Sequence, residues 1–329
     1  MQEGSQKAVV AALLANTGIA VAKFVGFAIT GAASMLAEAV HSVADASNQG
    51  LLLLGGKRAR RGASAEHPFG YGRERYFWSF VVALVLFTLG SLFALYEGIE
   101  KLRKPHEIES VVLAAGILIL AIVFEAFSFR TAIHEGRKAK GDQSWWSFIR
   151  RSKSPELPVV LLEDLGALVG LFLALAGVGL AEITGNPRFD AVGSVGIGLL
   201  LGVIAITLVI EMKSLLIGEG ASASDLGRIR QVMESSDGVD GVVHIRTQYL
   251  GPEELLVGAK LRFDPTLTCG AVTEAIDGVE QAVRSVVPAA RVIYLEPGVA
   301  AAAPTPPVPG QETGADVPLS GTEKAAPGA

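Results

Sequence analysis

The sequence predicts an integral membrane protein: an all-α, six-helix transmembrane domain followed by a small cytoplasmic α+β domain of ferredoxin-like (αββαβ) order. Three observations predict it. Half of the 329 residues (50%) are apolar and only 19% are charged, whereas about a quarter are charged in an ordinary soluble domain. Six apolar windows of about 20 residues fill the first two thirds of the chain, each long enough to cross a hydrocarbon core about 30 Å thick. After Ile217 the pattern changes to short alternating runs. One cysteine, Cys269, excludes an intrachain disulfide and a Cys-rich zinc module. A net charge of -5 argues against nucleic acid as a partner.

The windows run Ala8 to Thr30, Ala32 to Leu54, Phe77 to Tyr96, Val111 to Phe129, Leu157 to Leu180 and Ala191 to Ile210. A soluble core has no way to cover the outer faces of six such segments, so the bilayer is the expected solvent. Basic residues mark the cytoplasmic side. They crowd the loop after the second span (Lys57, Arg58, Arg60, Arg61, Arg73, Arg75) and the segment after the fourth (Arg130, Arg137, Lys138, Lys140, Arg150, Arg151, Lys153). Both termini are therefore expected in the cytoplasm, with the cell (inner) membrane as the first expectation and an organelle membrane as the alternative. The first span is too long, and lacks the cleavage site, for a removable signal peptide.

Beyond residue 218, Asp225 to Glu234 reads as an amphipathic helix and Val239 to Leu250 as a strand with Val243, Ile245, Thr247 and Tyr249 on one face. After the Gly251-Pro252 turn a second strand carries Leu255, Val257, Ala259, Leu261 and Phe263 in phase; a helix over Thr268 to Val286 and a strand over Arg291 to Leu295 complete αββαβ. Two helices on one face of a three-stranded sheet make a small domain. The boundaries expected are 1–218, 219–296 and a disordered Pro/Ala-rich tail, 297–329, holding seven of the 15 prolines.

Ionisable groups at bilayer depth cost about 2.5 to 3.5 kcal/mol each on insertion scales, so they are the first candidates for function. His41 and Asp45 lie four residues apart, on one helical face, and Asn48 continues that face. An imidazole nitrogen and a carboxylate oxygen at this spacing can reach one ion at about 2.0 to 2.2 Å. Asp164 of the fifth span is the third ligand if the second and fifth spans are neighbours. The bland alternative, a buried hydrogen-bonded pair, is the usual meaning of His-x-x-x-Asp in a soluble helix. In a membrane a purely structural pair is readily replaced by apolar residues, which favours the metal. Glu163, about 100° around the helix from Asp164, reads as a fourth ligand, a proton carrier or a charge facing a water-filled cavity. Glu38, one turn before His41, is placed to orient its imidazole. Lys23 reads as paired or snorkelling, and Glu125 as a proton site or a partner of Lys23.

The run AEAVHSVADASNQGLLLLG (Ala37 to Gly55) followed by HPFGYGRER (His67 to Arg75) closely resembles the cation diffusion facilitator family. The HSVAD and NQ residues and the VVLLED segment look most like its zinc transporter nine-like branch. The resemblance covers about residues 7 to 296. It implies a homodimeric exporter in the lipid bilayer that exchanges a divalent metal, usually zinc, for protons. It also implies an intramembrane site built from His/Asp-x-x-x-Asp and His-x-x-x-Asp. His41, Asp45 and Asp164 match that site, whereas Val160 stands in place of the second histidine and leaves a fourth position to Glu163, Asn16, Asn48 or a water. Zn2+ remains the first expectation for the cargo; a more oxygen-rich site suits Mn2+, Fe2+ or Co2+.

Two further metal sites of the family are incomplete. His67 has Tyr71 and Ser64 where relatives place a histidine and an aspartate, so it is expected to cap or pack its turn. In the C-terminal domain His244 and Glu296 remain, with Ala259 and Tyr294 at other ligand positions, so dimerisation without a full zinc cluster is expected. Transport follows from proton exchange: a bound metal needs neutral histidine and ionised carboxylates, and imidazole titrates near about 6.5. His41 is thus the leading proton exchanger and Glu163 the second. An intramembrane metalloenzyme is disfavoured because no His-Glu-x-x-His is present, and no Gly-x-x-x-x-Gly-Lys-[Ser/Thr] loop points to nucleotide. A metal-responsive scaffold that recruits partners through residues 219 to 296 is the remaining alternative.

Overall fold

The computed structural model describes residues 3–30, 33–105 and 111–298, with the side chains of 33–41 outside that description. Its long helices are α1 (Glu3–Thr30), α2 (Ala33–Arg58), α3 (Glu74–Val85), α4 (Phe93–Arg103), α5 (Val111–Lys140), α7 (Glu156–Thr184) and α8 (Arg188–Ile217), with a short α6 (Trp145–Arg151) between α5 and α7. A π-helical stretch, Leu86–Leu92, joins α3 to α4 in one continuous rod. Five rods among the described residues are long and apolar enough to cross a membrane. At 26 residues α2 is long enough too, but Asp45, Asn48, Gln49 and their neighbours make it too polar to meet the same measure.

Helix α7 takes the centre. It packs against α5 and α8 and touches α1, while α1 also lies along α2 and α5, and α8 along α3, the π stretch and α4. Glycines let α8 approach closely: a Cβ at Gly198 would come within 2.8 Å of Leu95 N, and one at Gly98 within 2.8 Å of Val195 N. Ser91 Oγ in the π stretch donates to Gly198 O at 2.8 Å. Pro155 opens α7, where its missing N–H costs nothing, and Gly185, at φ 64°, closes it in the left-handed conformation.

The sequence windows need correcting at their ends. The fourth extends to Lys140, so Arg130, Arg137 and Lys138, expected in a loop, ride on α5; Lys101 and Arg103 likewise lie on α4. Long helices carry basic side chains beyond the apolar stretch because the backbone gains by continuing its hydrogen bonds into the headgroup region.

The C-terminal domain consists of α9 (Ala223–Glu234), β1 (Val239–Gly251), β2 (Glu254–Phe263), α10 (Cys269–Val286) and β3 (Ala290–Gly298). Ser222 and Thr268 cap the two helices through their hydroxyls. Strands β1 and β2 are antiparallel; β3 returns parallel to β2 after the α10 crossover, giving the order β1-β2-β3. Leu255, Val257, Ala259, Leu261 and Phe263 are all buried against Ile229, Met233, Val279 and Val283. On β1 the expected face slips. A register shift between Val242 and His244 exposes Val243 and turns Val242 to the core instead, as a bulge must when side chains alternate. Residues Pro297 and Gly298, expected in the tail, belong to β3, and 299–329 lie outside the described residues.

The two domains touch. Gly72 lies so close to the β1–β2 turn that a Cβ there would sit 2.8 Å from Leu250 O. Lys153 pairs with Glu219, and its ammonium stands 5.5 Å from the centre of the Tyr249 ring. A cavity of about 230 Å³ at this junction is lined by residues from several segments, among them Ser5 of α1, Arg151 of α6 and Pro252 of the turn.

Candidate metal site

Inside the bundle, polar side chains from four helices gather among apolar neighbours. From α7, Asp164 accepts a hydrogen bond from Ser128 Oγ of α5 at 2.7 Å, and both residues are almost wholly buried. One residue earlier, Glu163 accepts from two amides of α2: Asn48 Nδ2 reaches Oε1 at 2.9 Å and Gln49 Nε2 reaches Oε2 at 2.8 Å. Helices α2 and α7 therefore meet at the level of this site, which spacing alone left conditional. Glu125 of α5 is buried, with electrostatic contact to Asp45, Glu163, Asp164 and Lys23. Lys23 of α1, also buried, donates to Ser42 Oγ of α2 at 2.9 Å.

Asp45 is half-buried and interacts electrostatically with Glu163 and Glu125. The expectations for His41 and Glu38 fall on side chains outside the described residues. Asn16 is buried on α1, a helix that packs against α2, α5 and α7. Among the described residues no three His, Cys, Asp or Glu side chains converge tightly enough to hold an ion. The arrangement is a buried set of oxygen donors, three of them carboxylates, already oriented by hydroxyl and amide donors. It suits a cation and repels an anion.

Gln49, Ser128 and Ser42 were not anticipated. Gln49 was legible as the neighbour of Asn48 in the quoted motif. Ser128 stands three residues after Glu125 and so on the same face of its helix.

The weaker candidates take structural roles. His67 stacks on Tyr71 with ring centres 4.5 Å apart, and its N–H donates to Ser64 Oγ at 3.1 Å, so the residue packs its turn. His244 is exposed, and Glu296 accepts from Lys260 Nζ at 2.6 Å. The Lys260 ammonium holds the Glu296 carboxyl below its ordinary range. Strand register puts Lys260 beside both residues, a cation where a shared metal would have to approach.

Comparison with known proteins agrees with this geometry. The cation efflux transmembrane domain matches residues 9–217 and the cation efflux protein cytoplasmic domain matches 221–297. The chain is 33% identical over 278 residues to "Proton-coupled zinc antiporter SLC30A9, mitochondrial" of Mus musculus, covering 84% of this chain and 49% of that protein. It is 32% identical to "Metal tolerance protein C4" of Arabidopsis thaliana, covering 79% of this chain and 57% of that protein. The chain thus spans about half the length of the curated relatives it matches first. A solved structure, "MamM-CTD 215-293", is similar at 24% identity and a TM-score of 0.22, covering 23% of this chain and 95% of that one. On the two domain matches, one spanning the helical bundle and one the αββαβ unit that follows it, the chain belongs to the cation efflux, or cation diffusion facilitator, family.

Proposed function

We propose that this protein is a secondary active transporter that moves a divalent metal cation, zinc first, out of the cytoplasm in exchange for protons by alternating access. The observation that carries the reading is the meeting of Asp45, Glu125, Glu163 and Asp164, from three helices, within a bundle of membrane-spanning length. Buried charges at such depth are maintained for ion passage. His41, Asp45 and Asp164 hold the cargo. Ser128 fixes the Asp164 carboxylate through Oδ2, and His41 takes up the proton when metal leaves. Exchange then needs the site to open alternately to each side. The name of the mouse relative supports zinc and protons, and its mitochondrial label supports an organelle membrane beside the inner membrane of a cell.

Six spans and a shared side for both termini are supported by one cavity. Ser5, near the start of α1, lines it together with Pro252 of the C-terminal domain, so the chain enters and leaves the bundle at the same end. That requires an even number of crossings, and α2 supplies the sixth. The basic loop residues Arg75 and Lys153 lie at this end, paired with Glu253 and Glu219, as expected of a cytoplasmic face. A homodimer is supported by apolar surface on the outer face of the sheet, where Val243 and Tyr294 are exposed.

A second reading, an exporter of manganese, iron or cobalt, is favoured by Val160, which removes a nitrogen from an otherwise oxygen-rich site. Flux of Zn2+, Mn2+, Fe2+ and Co2+ into proteoliposomes under an imposed pH gradient tests both readings. Loss of flux in Asp45→Ala and Asp164→Ala is expected. Gradient-independent flux, or flux that survives both substitutions, refutes the proposal.

A further inference from the structure

Glu163 spends both of its carboxylate oxygens on α2, one on Asn48 and one on Gln49. An ionised carboxylate only accepts, so each amide turns its nitrogen toward Glu163 and its carbonyl oxygen away. Those two oxygens, Asn48 Oδ1 and Gln49 Oε1, are buried and have no hydrogen-bond partner. Their residues are 2% and 0% exposed. Buried acceptors without donors are rare in folded proteins, and each asks for an unseen ion or water. Asn48 and Gln49 follow Asp45 by three and four residues, which places them one helical turn on and astride its face. A third orphan oxygen, Oε2 of Glu125, belongs to a side chain in electrostatic contact with Asp45 and Asp164.

We infer that Asn48 and Gln49 contribute carbonyl oxygens to the transported cation, and that Glu163 is a positioning residue that aims both amides instead of binding the metal. This rests on the transport reading above and supplies donors where Val160 leaves the site without a nitrogen. The charge count agrees. Asp45 and Asp164 already balance a divalent ion, so neutral oxygens complete its shell without trapping it, whereas a third carboxylate ligand would leave the loaded site negative. Amide carbonyls are hard donors that favour manganese over zinc relative to an imidazole.

The test is equilibrium binding of Mn2+ and Zn2+ to the full-length protein in detergent, with the metal-free thermal midpoint measured beside each variant. Glu163→Gln should lower Mn2+ affinity about ten- to hundredfold, the range typical of residues that orient ligands, and lower Zn2+ affinity less. In an Asn48→Leu/Gln49→Met background the same substitution should cost nothing further, because nothing remains to aim. An equal loss in both backgrounds overturns the inference and makes Glu163 a ligand. Should the paired variant not fold, Asn48→Leu alone decides: a Mn2+ loss exceeding the Zn2+ loss is expected, and unchanged Mn2+ affinity overturns the inference. If Asp45→Ala and Asp164→Ala leave binding of both metals intact, the transport site itself is wrong, an outcome separate from any result at the amides.

Discussion

Arg75, at the start of α3, and Glu156, at the start of α7, form a two-point ion pair nearly closed to water: the side chains are 5% and 1% exposed, and Nη2 donates to Oε2 at 2.8 Å beside a second bond from Nε. Nη1 of the same guanidinium lies 3.7 Å from Glu253 in the β1–β2 turn. Removing one partner strands the other charge, which typically costs about 3–5 kcal/mol, whereas replacing both with apolar residues is often neutral. Arg75→Ala and Glu156→Ala should each lower the thermal midpoint in detergent markedly. Arg75→Leu/Glu156→Leu should recover most of the loss; a double variant worse than either single one contradicts the account.

Ser128 gives Asp164 its printed hydrogen bond, so Ser128→Ala frees the carboxylate to rotate. Metal affinity should fall about tenfold or more, while Ser128→Thr, which keeps the hydroxyl, should retain most of it. Calorimetric titration of the two variants makes the comparison, and equal affinities for Ala and Thr would count against the role of the hydroxyl.

Gly72 is where the domains come closest, and a side chain there collides with the backbone of Leu250 and Gly251. Gly72→Val should therefore lift the β1–β2 turn from the bundle, raising hydrogen exchange across residues 249–254. Gly62→Val, in the same loop but with open space around it, should not.

Asp264 accepts hydrogen bonds from the backbone N–H and the hydroxyl of Thr266, which hold its carboxyl below the ordinary range. A lowered folded value means that this stabilisation is present above the unfolded carboxylate range and is lost as pH falls through the folded one. Hydrogen exchange at the start of α10 should accelerate on acidification in the wild type. Thr266→Ala, which removes the hydroxyl donor, should shift that acceleration to higher pH. An unchanged profile would show that the turn is held by other contacts.

His244 and Glu296 are not expected to bind metal while Lys260 occupies Glu296. Metal bound per chain, measured on purified protein, should be the same in the wild type, His244→Ala and Glu296→Ala. A drop in either variant would place an ion on the sheet.

The sequence made the architecture readable wherever one periodicity dominated. The alternation from Leu255 to Phe263 was correct at every position, because a strand with one face on a core has no other way to sort its residues. It misread Val243, since a bulge leaves no mark in a run where Val242 and Val243 are both β-branched. The intramembrane candidates stood out because polar residues are scarce there, and Asp164 and Asn48 do share a polar cluster. What single residues cannot disclose is which partner each will choose. Glu163 looked like a ligand until two amides from 114 and 115 positions away were seen to occupy it. Arg75 looked like a surface charge because its partners lie 81 and 178 residues further along the chain.

The wide turns of Leu86–Leu92 carry an implication for how this gene can vary. A π-helical stretch accommodates surplus residues relative to ordinary α winding. Losing a single codon within it would let the rod rewind regularly and rotate everything from Phe93 onward by about 100°. Leu95 would swing off Gly198 and Gly98 off Val195, unseating the α4–α8 contact at both points together. At this place the number of residues is as constrained as their identity, and a one-residue deletion should be harsher than any lone exchange of side chain.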